Sequence, residues 1–267
     1  MGASGSGGDP SHLVRQIVDL FHHSRNIHQK RQLDPILEKV RTLGYASDRV
    51  YASLGEDAAA IRLHSNRDDL VLLTTDAILP EFIEKNPYAA GFSAVYVGLD
   101  DIYACGGLPT AFSITMEYHD PQMGDQVLQG VLDASQRFRL PLVRGHTVTD
   151  ANRPGLTSTM IGSCSIPAFI SFKDAQAGDA IALVYDAEGQ PGALNHLYWN
   201  TILNQPADRF LNKRGWIAHA KAHGWIHACK DISNGGILGT LAQFLSYAQK
   251  GAHISIDPLY GTPFLQM

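Results

Sequence analysis

The amino-acid sequence predicts an α/β fold in two unequal units, and three observations carry the prediction. Short apolar runs of strand length alternate with longer segments of helical period from Arg49 to about Cys164. A second, shorter alternation opens with the strand-like run DAIALVYD at 179–186. Between them, the stretch bounded by Pro167 and Gly178 reads as a connection. With 267 residues, 45% of them hydrophobic and 18% charged, the chain has the make-up of an ordinary globular protein with room for a sizeable core. The organisation expected is a leader and helical arm over 1–44, a first α/β domain over 45–166 and a second over 167–267.

The elements follow in order. MGASGSGGDPS has neither a basic n-region nor an apolar h-region, and reads as a flexible leader or a cloning remnant rather than a signal peptide. Asp9, Pro10 and Ser11 can cap a helix that carries Leu13, Ile17, Val18, Leu20 and Phe21 on one side. A second helix is expected over 32–43, with Leu33, Ile36, Leu37 and Val40, ended by Gly44. The intervening HHSRNIHQKR is basic and rich in histidine; it suits a solvated turn.

DAAAIRLH and LVLLTTD read as strands, the second buried on both faces because its apolar run is continuous. A helix is expected over 89–105, stopped by Gly106, Gly107 and Pro109. A strand over 110–117, a helix over 125–138 and strands over 142–148 and 156–163 complete the first unit. In the second unit the strand DAIALVYD precedes a helix over 207–223, a short strand over 226–229, a helix over 237–248 and a last strand in GAHISID. That unit is short for a domain and reads as a truncated or reduced lobe.

Composition excludes several classes. The net charge of −5 argues against a nucleic-acid-binding surface but is compatible with carboxylates that hold a metal. Cys105, Cys164 and Cys229 form no CxxC pair, so neither a zinc site nor a disulfide framework is indicated. Reduced thiols point to the cytoplasm, and Cys105, among Ala and Gly, suits a small core position. No apolar run approaches the roughly 18 residues of a membrane helix.

The chemistry-bearing features are four acidic stretches: GEDAAAI at 55–61, TTDA at 74–77, LDDIYACGG at 99–107 and KDISNGG at 230–236. Small neighbours let backbone amides approach a polyanion, while carboxylates from separate segments can hold the Mg²⁺ that neutralises it. Taken singly, each Asp equally suits a turn or a helix cap. No GxxxxGK[ST], helix-opening GxGxxG, GxSxG or HExxH occurs, which removes P-loop, dinucleotide-fold and two common hydrolase readings.

The four stretches, with NPYAAGFSAVYVGLDDIYACGGLPTAF, RGHTVTD and the AGDAIALV opening, occur in the order seen in the aminoimidazole ribonucleotide (AIR) synthetase superfamily, which the chain resembles from about Arg49 to Pro258. The superfamily includes selenophosphate synthetase, thiamine-monophosphate kinase and formylglycinamidine synthase. The resemblance implies an N-terminal domain that supplies strands to a dimeric β-barrel-like interface and a second α/β domain closing over the substrate. It also implies an ATP site built across the dimer. Asp57, Asp76, Asp101 and Asp231 match the Mg²⁺-ATP carboxylates. Glu56 and Thr75 stand beside them as nucleotide-binding positions, and Gly145, His146 and Thr147 match a Gly-rich turn near the nucleotide.

Departures narrow the reading. His146 stands where the kinases carry Asp and the AIR synthetase Glu, Gly98 where an Asn is common, and Asn234 where the kinases have a second Asp. No Cys precedes Cys105, so the selenium-accepting nucleophile is missing and selenophosphate synthesis is rejected. His28, Lys30 and Arg31 can close over a phosphate, which makes Lys30 a catalytic candidate against the solvated-turn reading. His146 is either a general base or a structural histidine, and Arg144 a phosphate contact or a surface charge. The function implied is ATP- and Mg²⁺-dependent activation of a small-molecule oxygen by phosphoryl transfer. A small-molecule kinase resembling thiamine-monophosphate kinase and a non-catalytic nucleotide-binding or scaffolding relative are the alternatives. The expected partners are ATP, a small-molecule substrate and a second copy of the chain, with no nucleic acid and no membrane.

Overall fold

A computed structural model describes residues 10–25, 27, 32–64, 67–191, 199–200, 203 and 206–255. Its centre is a six-stranded sheet formed by β1 (Val50–Ala52), β2 (Ala59–Arg62), β3 (Asp69–Ile78), β4 (Leu108–Glu117), β5 (Leu142–Val148) and β6 (Gly155–Ser165), in the order β1-β2-β3-β6-β4-β5. All neighbours run antiparallel except β4 and β5, which are parallel and joined across a helix. Seven helices are seen among the described residues: α1 (Pro10–His23), α2 (Asp34–Leu43), α3 (Pro80–Lys85), α4 (Pro87–Ala104), α5 (Pro121–Phe138), α6 (Ala207–Ala222) and α7 (Gly236–Tyr247). The α/β class is therefore as the sequence predicts.

One face of the sheet builds the core. Leu70, Leu72 and Thr74 of β3 are buried together with Leu156, Ser158 and Met160 of β6 and Phe112, Ile114 and Met116 of β4. Alternate residues point to the other face, as a period of two requires. The expectation that β3 is buried on both faces is corrected here: Val71 and Leu73 are only half-buried and Thr75 is exposed, because the described elements cover one side of the sheet.

Helix α4 lies on the inner face. Its start is set by Pro87 in the first turn and by Asn86, whose side chain accepts from Ala89 N at 3.0 Å. Helix α5 begins four residues earlier than its apolar period suggests, because Asp120 accepts from Gln122 N and Pro121 starts the turn. The two helices approach to backbone contact through reciprocal glycines. A Cβ on Gly91 would meet Val127 O at 2.0 Å, and one on Gly130 would meet Tyr88 O at 2.0 Å. Gly98 has a packing role: its added Cβ would lie 3.1 Å from Met160 Cβ.

The second unit departs most from the sequence reading. Residues 179–186, 226–229 and 251–255 form neither helix nor strand; the two-residue strands β7 (Gln190–Pro191) and β8 (Trp199–Asn200) pair with each other. Alternation specifies which face a strand would bury, but a ladder needs a hydrogen-bonding neighbour, and none lies beside these segments among the described residues. Ile181 and Val184 are accordingly more than half exposed. The helices of this unit do form, within a residue of expectation. Phe210 of α6 packs on Phe138 and Tyr96, with ring centroids 5.0 and 5.4 Å apart. Beside it Arg214 pairs with Asp100 and donates to Tyr96 OH at 2.7 Å, which fastens α6 to α4.

Candidate functional site

The site grows from four segments that the fold draws to the inner face of β3. Gly55, at φ 105°, turns the chain after β1 in a conformation that glycine adopts without strain. The next residue, Glu56, accepts from Ser171 Oγ at 2.6 Å and from Phe172 N at 3.3 Å, anchoring the connection to this turn. Asp57 follows and faces inward. Thr74 and Asp76 project from the inner face of β3, two residues apart. Asp101 comes from α4, and Lys230 and Asp231 from the segment before α7.

Asp57, Asp101 and Asp231 each offer an oxygen, all within 4.8 Å of one another. Thr74 Oγ1 donates to Asp101 Oδ2 and lies 3.4 Å from Asp76 Oδ2. Asp231 N donates to Asp57 Oδ2 at 3.2 Å, while Lys230 Nζ donates to Asp57 Oδ1 and, at 3.1 Å, to Asp231 Oδ1. Four carboxylates thus crowd together, two of them bonded to one ammonium, in a largely dry setting; the Asp57 side chain is 4% exposed. Two like charges 4.8 Å apart repel by about 3 kcal/mol at an effective dielectric of 20.

The acidities follow. Burial, reinforced by Asp231, pushes Asp57 up to about 7 despite Lys230. Burial together with Asp231 and Asp76 pushes Asp101 up to about 10, against the Thr74 hydrogen bond. Burial works against the Lys230 charge, but Asp231 and Asp57 outweigh it and hold the ammonium above its ordinary range. Such a cluster favours a proton or a cation. Its donors are all oxygen, which suits a hard divalent ion, and oxygens on one Mg²⁺ stand up to about 4.2 Å apart. Small side-chain adjustments would therefore complete coordination, with waters or phosphate oxygens at the remaining positions.

Of the residues singled out from sequence, Asp57, Asp101 and Asp231 converge and Asp76 stands beside them. Others do not join. Glu56 is engaged by the connection. Thr75 lies on the opposite sheet face, 3.0 Å from Thr159 Oγ1. Gly145, His146 and Thr147 are not a turn but consecutive residues of β5, exposed at the sheet edge. Cross-strand register puts Asp76, Ser158, Ile114 and Gly145 in one row, and Ala77, Thr157, Thr115 and His146 in the next. His146 is thus three strand spacings from β3, about 14 Å, because β6 and β4 intervene. Arg144 is exposed and donates to Gly145 O. Asn234 is exposed. Lys30, with His28 and Arg31, lies outside the described residues.

Sequence reasoning missed Lys230 and Thr74. Lys230 stood inside KDISNGG, overshadowed by the adjacent Asp; Thr74 sits two residues before Asp76 and so on the same face of a strand. The cysteines are unsuited to nucleophilic work. Burial and the neighbouring carboxylates push the Cys229 thiol up to about 12, and Cys105, whose Sγ accepts from Ala58 N, is also raised.

Residues 55–164 match the family described as AIR synthase related protein, N-terminal domain, and residues 176–265 that described as AIR synthase related protein, C-terminal domain. An uncharacterized protein of Synechocystis sp. is 30% identical over 206 residues, covering 77% of this chain and 62% of its own length. The phosphoribosylformylglycinamidine synthase subunit PurL of Bartonella henselae is 30% identical over 216 residues, covering 74% of this chain and 29% of its own. The structure titled T. maritima PurL complexed with ADP superimposes with a TM-score of 0.56 at 15% identity, over 74% of this chain and 32% of that one, and shows a shared fold. The chain therefore spans about three-fifths of one of these relatives and under a third of the other two.

Proposed function

The chain belongs to the AIR synthase-related family, and from that premise we propose that it binds Mg²⁺ and a nucleoside triphosphate, ATP by the resemblance of its motifs, and transfers the terminal phosphoryl group to an oxygen of a small molecule. The observation that carries this reading is the convergence of Asp57, Asp101 and Asp231, oxygens within 4.8 Å, from segments far apart in sequence. Asp57, Asp101 and Asp231 would hold the ion and Asp76 would stand by it. Thr74 orients the Asp101 carboxylate. When bound, Mg²⁺ supplies charge neutralisation between the phosphates and a fixed position for them, the larger part of phosphoryl-transfer catalysis.

The same reading includes a homodimer. The exposed outer face of the sheet and the open edge of β5 are the surfaces a second copy would use. The distance of Gly145, His146 and Thr147 from the carboxylates within one chain accords with a nucleotide site completed by a partner. A first domain over 45–166, a second over 167–267 and a cytoplasmic location belong to the proposal. Among the described residues, no helix is long and apolar enough to cross a membrane.

The test is ADP release with Mg²⁺ across a panel of small-molecule acceptors. Acceptor-dependent ADP release supports the phosphotransferase; nucleotide binding without turnover on any acceptor would leave a nucleotide-binding relative instead. An enzyme that stops at a stable phosphorylated product is a kinase in the narrow sense.

A further inference from the structure

Lys230 holds an unusual place for a cation that merely steadies a loop. Its side chain is 12% exposed, and its ammonium donates to one oxygen of Asp57 and one of Asp231, two of the three carboxylates that converge. A divalent ion that draws on these carboxylates therefore seeks oxygens already in contact with an ammonium. Two cations on one small set of oxygens repel strongly in a site this dry. The backbone is held independently of the side chain, because Asp231 N donates to Asp57 Oδ2. The ammonium can thus leave while Asp231 stays in place. Lysine suits such an exchange, being a compact charge on a flexible four-carbon stem.

We propose that Lys230 is an internal counter-cation that a divalent metal displaces from Asp57 and Asp231, and that the released ammonium turns to the polyphosphate which the metal brings. This rests on the metal–nucleotide reading above and adds to it a coupling between the two ligands. Metal alone must evict the ammonium from the two carboxylates it bonds and brings it no new anion in return, so it binds weakly; metal with a triphosphate gives that ammonium a new partner. Each ligand then tightens the other by the same factor. A static Lys230, by contrast, would be a structural ion pair holding residues 226–232 to the turn before β2.

Amine-reactive footprinting read by mass spectrometry distinguishes the two. The chelator-treated wild-type chain is labelled with and without Mn²⁺, whose binding is followed by electron paramagnetic resonance. Labelling at Lys230 should rise about fivefold or more as Mn²⁺ saturates, while the exposed Lys85 and Lys250 stay constant. Mn²⁺ should bind at least about fivefold tighter with the non-hydrolysable analogue AMP-PCP than without it, and Lys230→Met should bind Mn²⁺ alone more tightly and lose most of that coupling. Mn²⁺ binding with unchanged labelling of Lys230 overturns the exchange and leaves the metal site standing. Failure of Mn²⁺ to bind even with AMP-PCP overturns the metal reading, and the exchange with it. The footprint needs no variant, so a misfolded Lys230→Met chain does not blunt the test.

Discussion

Replacing Asp101 by Asn should stabilise the chelated protein while abolishing its response to metal. Asp101 is 9% exposed, and Asp231, Asp76 and Asp57 surround it. Burial and those charges lift it from an ordinary 3.8 to about 10, so without a metal it carries a proton at pH 7. The unfolded chain releases that proton, and holding it in the fold at pH 7 costs about 4 kcal/mol at 1.36 kcal/mol per pH unit. Asn presents a neutral group of the same shape, keeps an acceptor for Thr74 and avoids this cost. A gain of about 2–4 kcal/mol at pH 7 is expected, or roughly 5 °C or more in Tm for a chain of this size. The sign fixes the pH dependence: a carboxyl raised in the fold destabilises it increasingly as pH climbs from the unfolded value toward the folded one. The advantage of Asp101→Asn should therefore be small near pH 4 and large by pH 7. Thermal melts in chelator at both pH values, repeated in millimolar Mg²⁺, measure it. A loss of stability at pH 7, or a metal-induced shift as large as wild type, would refute the reasoning.

Other perturbations probe neighbouring claims. Glu56→Gln should cost about 1–2 kcal/mol by weakening the Ser171 and Phe172 contacts, yet leave the Mg²⁺-induced Tm shift intact; a lost shift would show that Glu56 takes part in holding the metal. Arg214→Met strands the partly buried Asp100, whose carboxyl is already pushed up to about 6 against Arg214, and should cost about 2 kcal/mol in urea unfolding; adding Asp100→Asn should recover much of it. Gly91→Ala should cost 2 kcal/mol or more, roughly the penalty of overpacking, because its Cβ meets backbone rather than a side chain that can move. The chelated wild-type chain should lose stability as pH rises from about 4 toward the 7 of Asp57, and saturating Mg²⁺ should flatten that slope.

Much of the fold was legible because its signals are local. Strand β5 covers the predicted 142–148, and α4, α6 and α7 lie within two residues of their patterns, since helix period, Pro at the first turn and Asn or Asp caps are all sequence-near. What failed depends on neighbours distant in sequence. DAIALVYD has strand alternation but no ladder partner among the described residues. LVLLTTD has a continuous apolar run although one face is only partly covered. In the site, the order of the acidic stretches pointed to Asp57, Asp101 and Asp231, but strand order cannot be read from a motif, so the separation of His146 from the carboxylates was hidden. Thr75 was avoidable: two residues adjacent on a strand face opposite ways, and Asp76 turns inward. The role of Lys230 needed Asp57, 173 positions away, to become visible.

The central claim is that these carboxylates hold a metal for a nucleoside triphosphate, and calorimetric titration with AMP-PCP tests it most directly. Affinity in Mg²⁺ should exceed that in chelator by about tenfold or more, the difference vanishing in Asp57→Asn. Equal affinity with and without Mg²⁺, or no binding in either, would contradict the account.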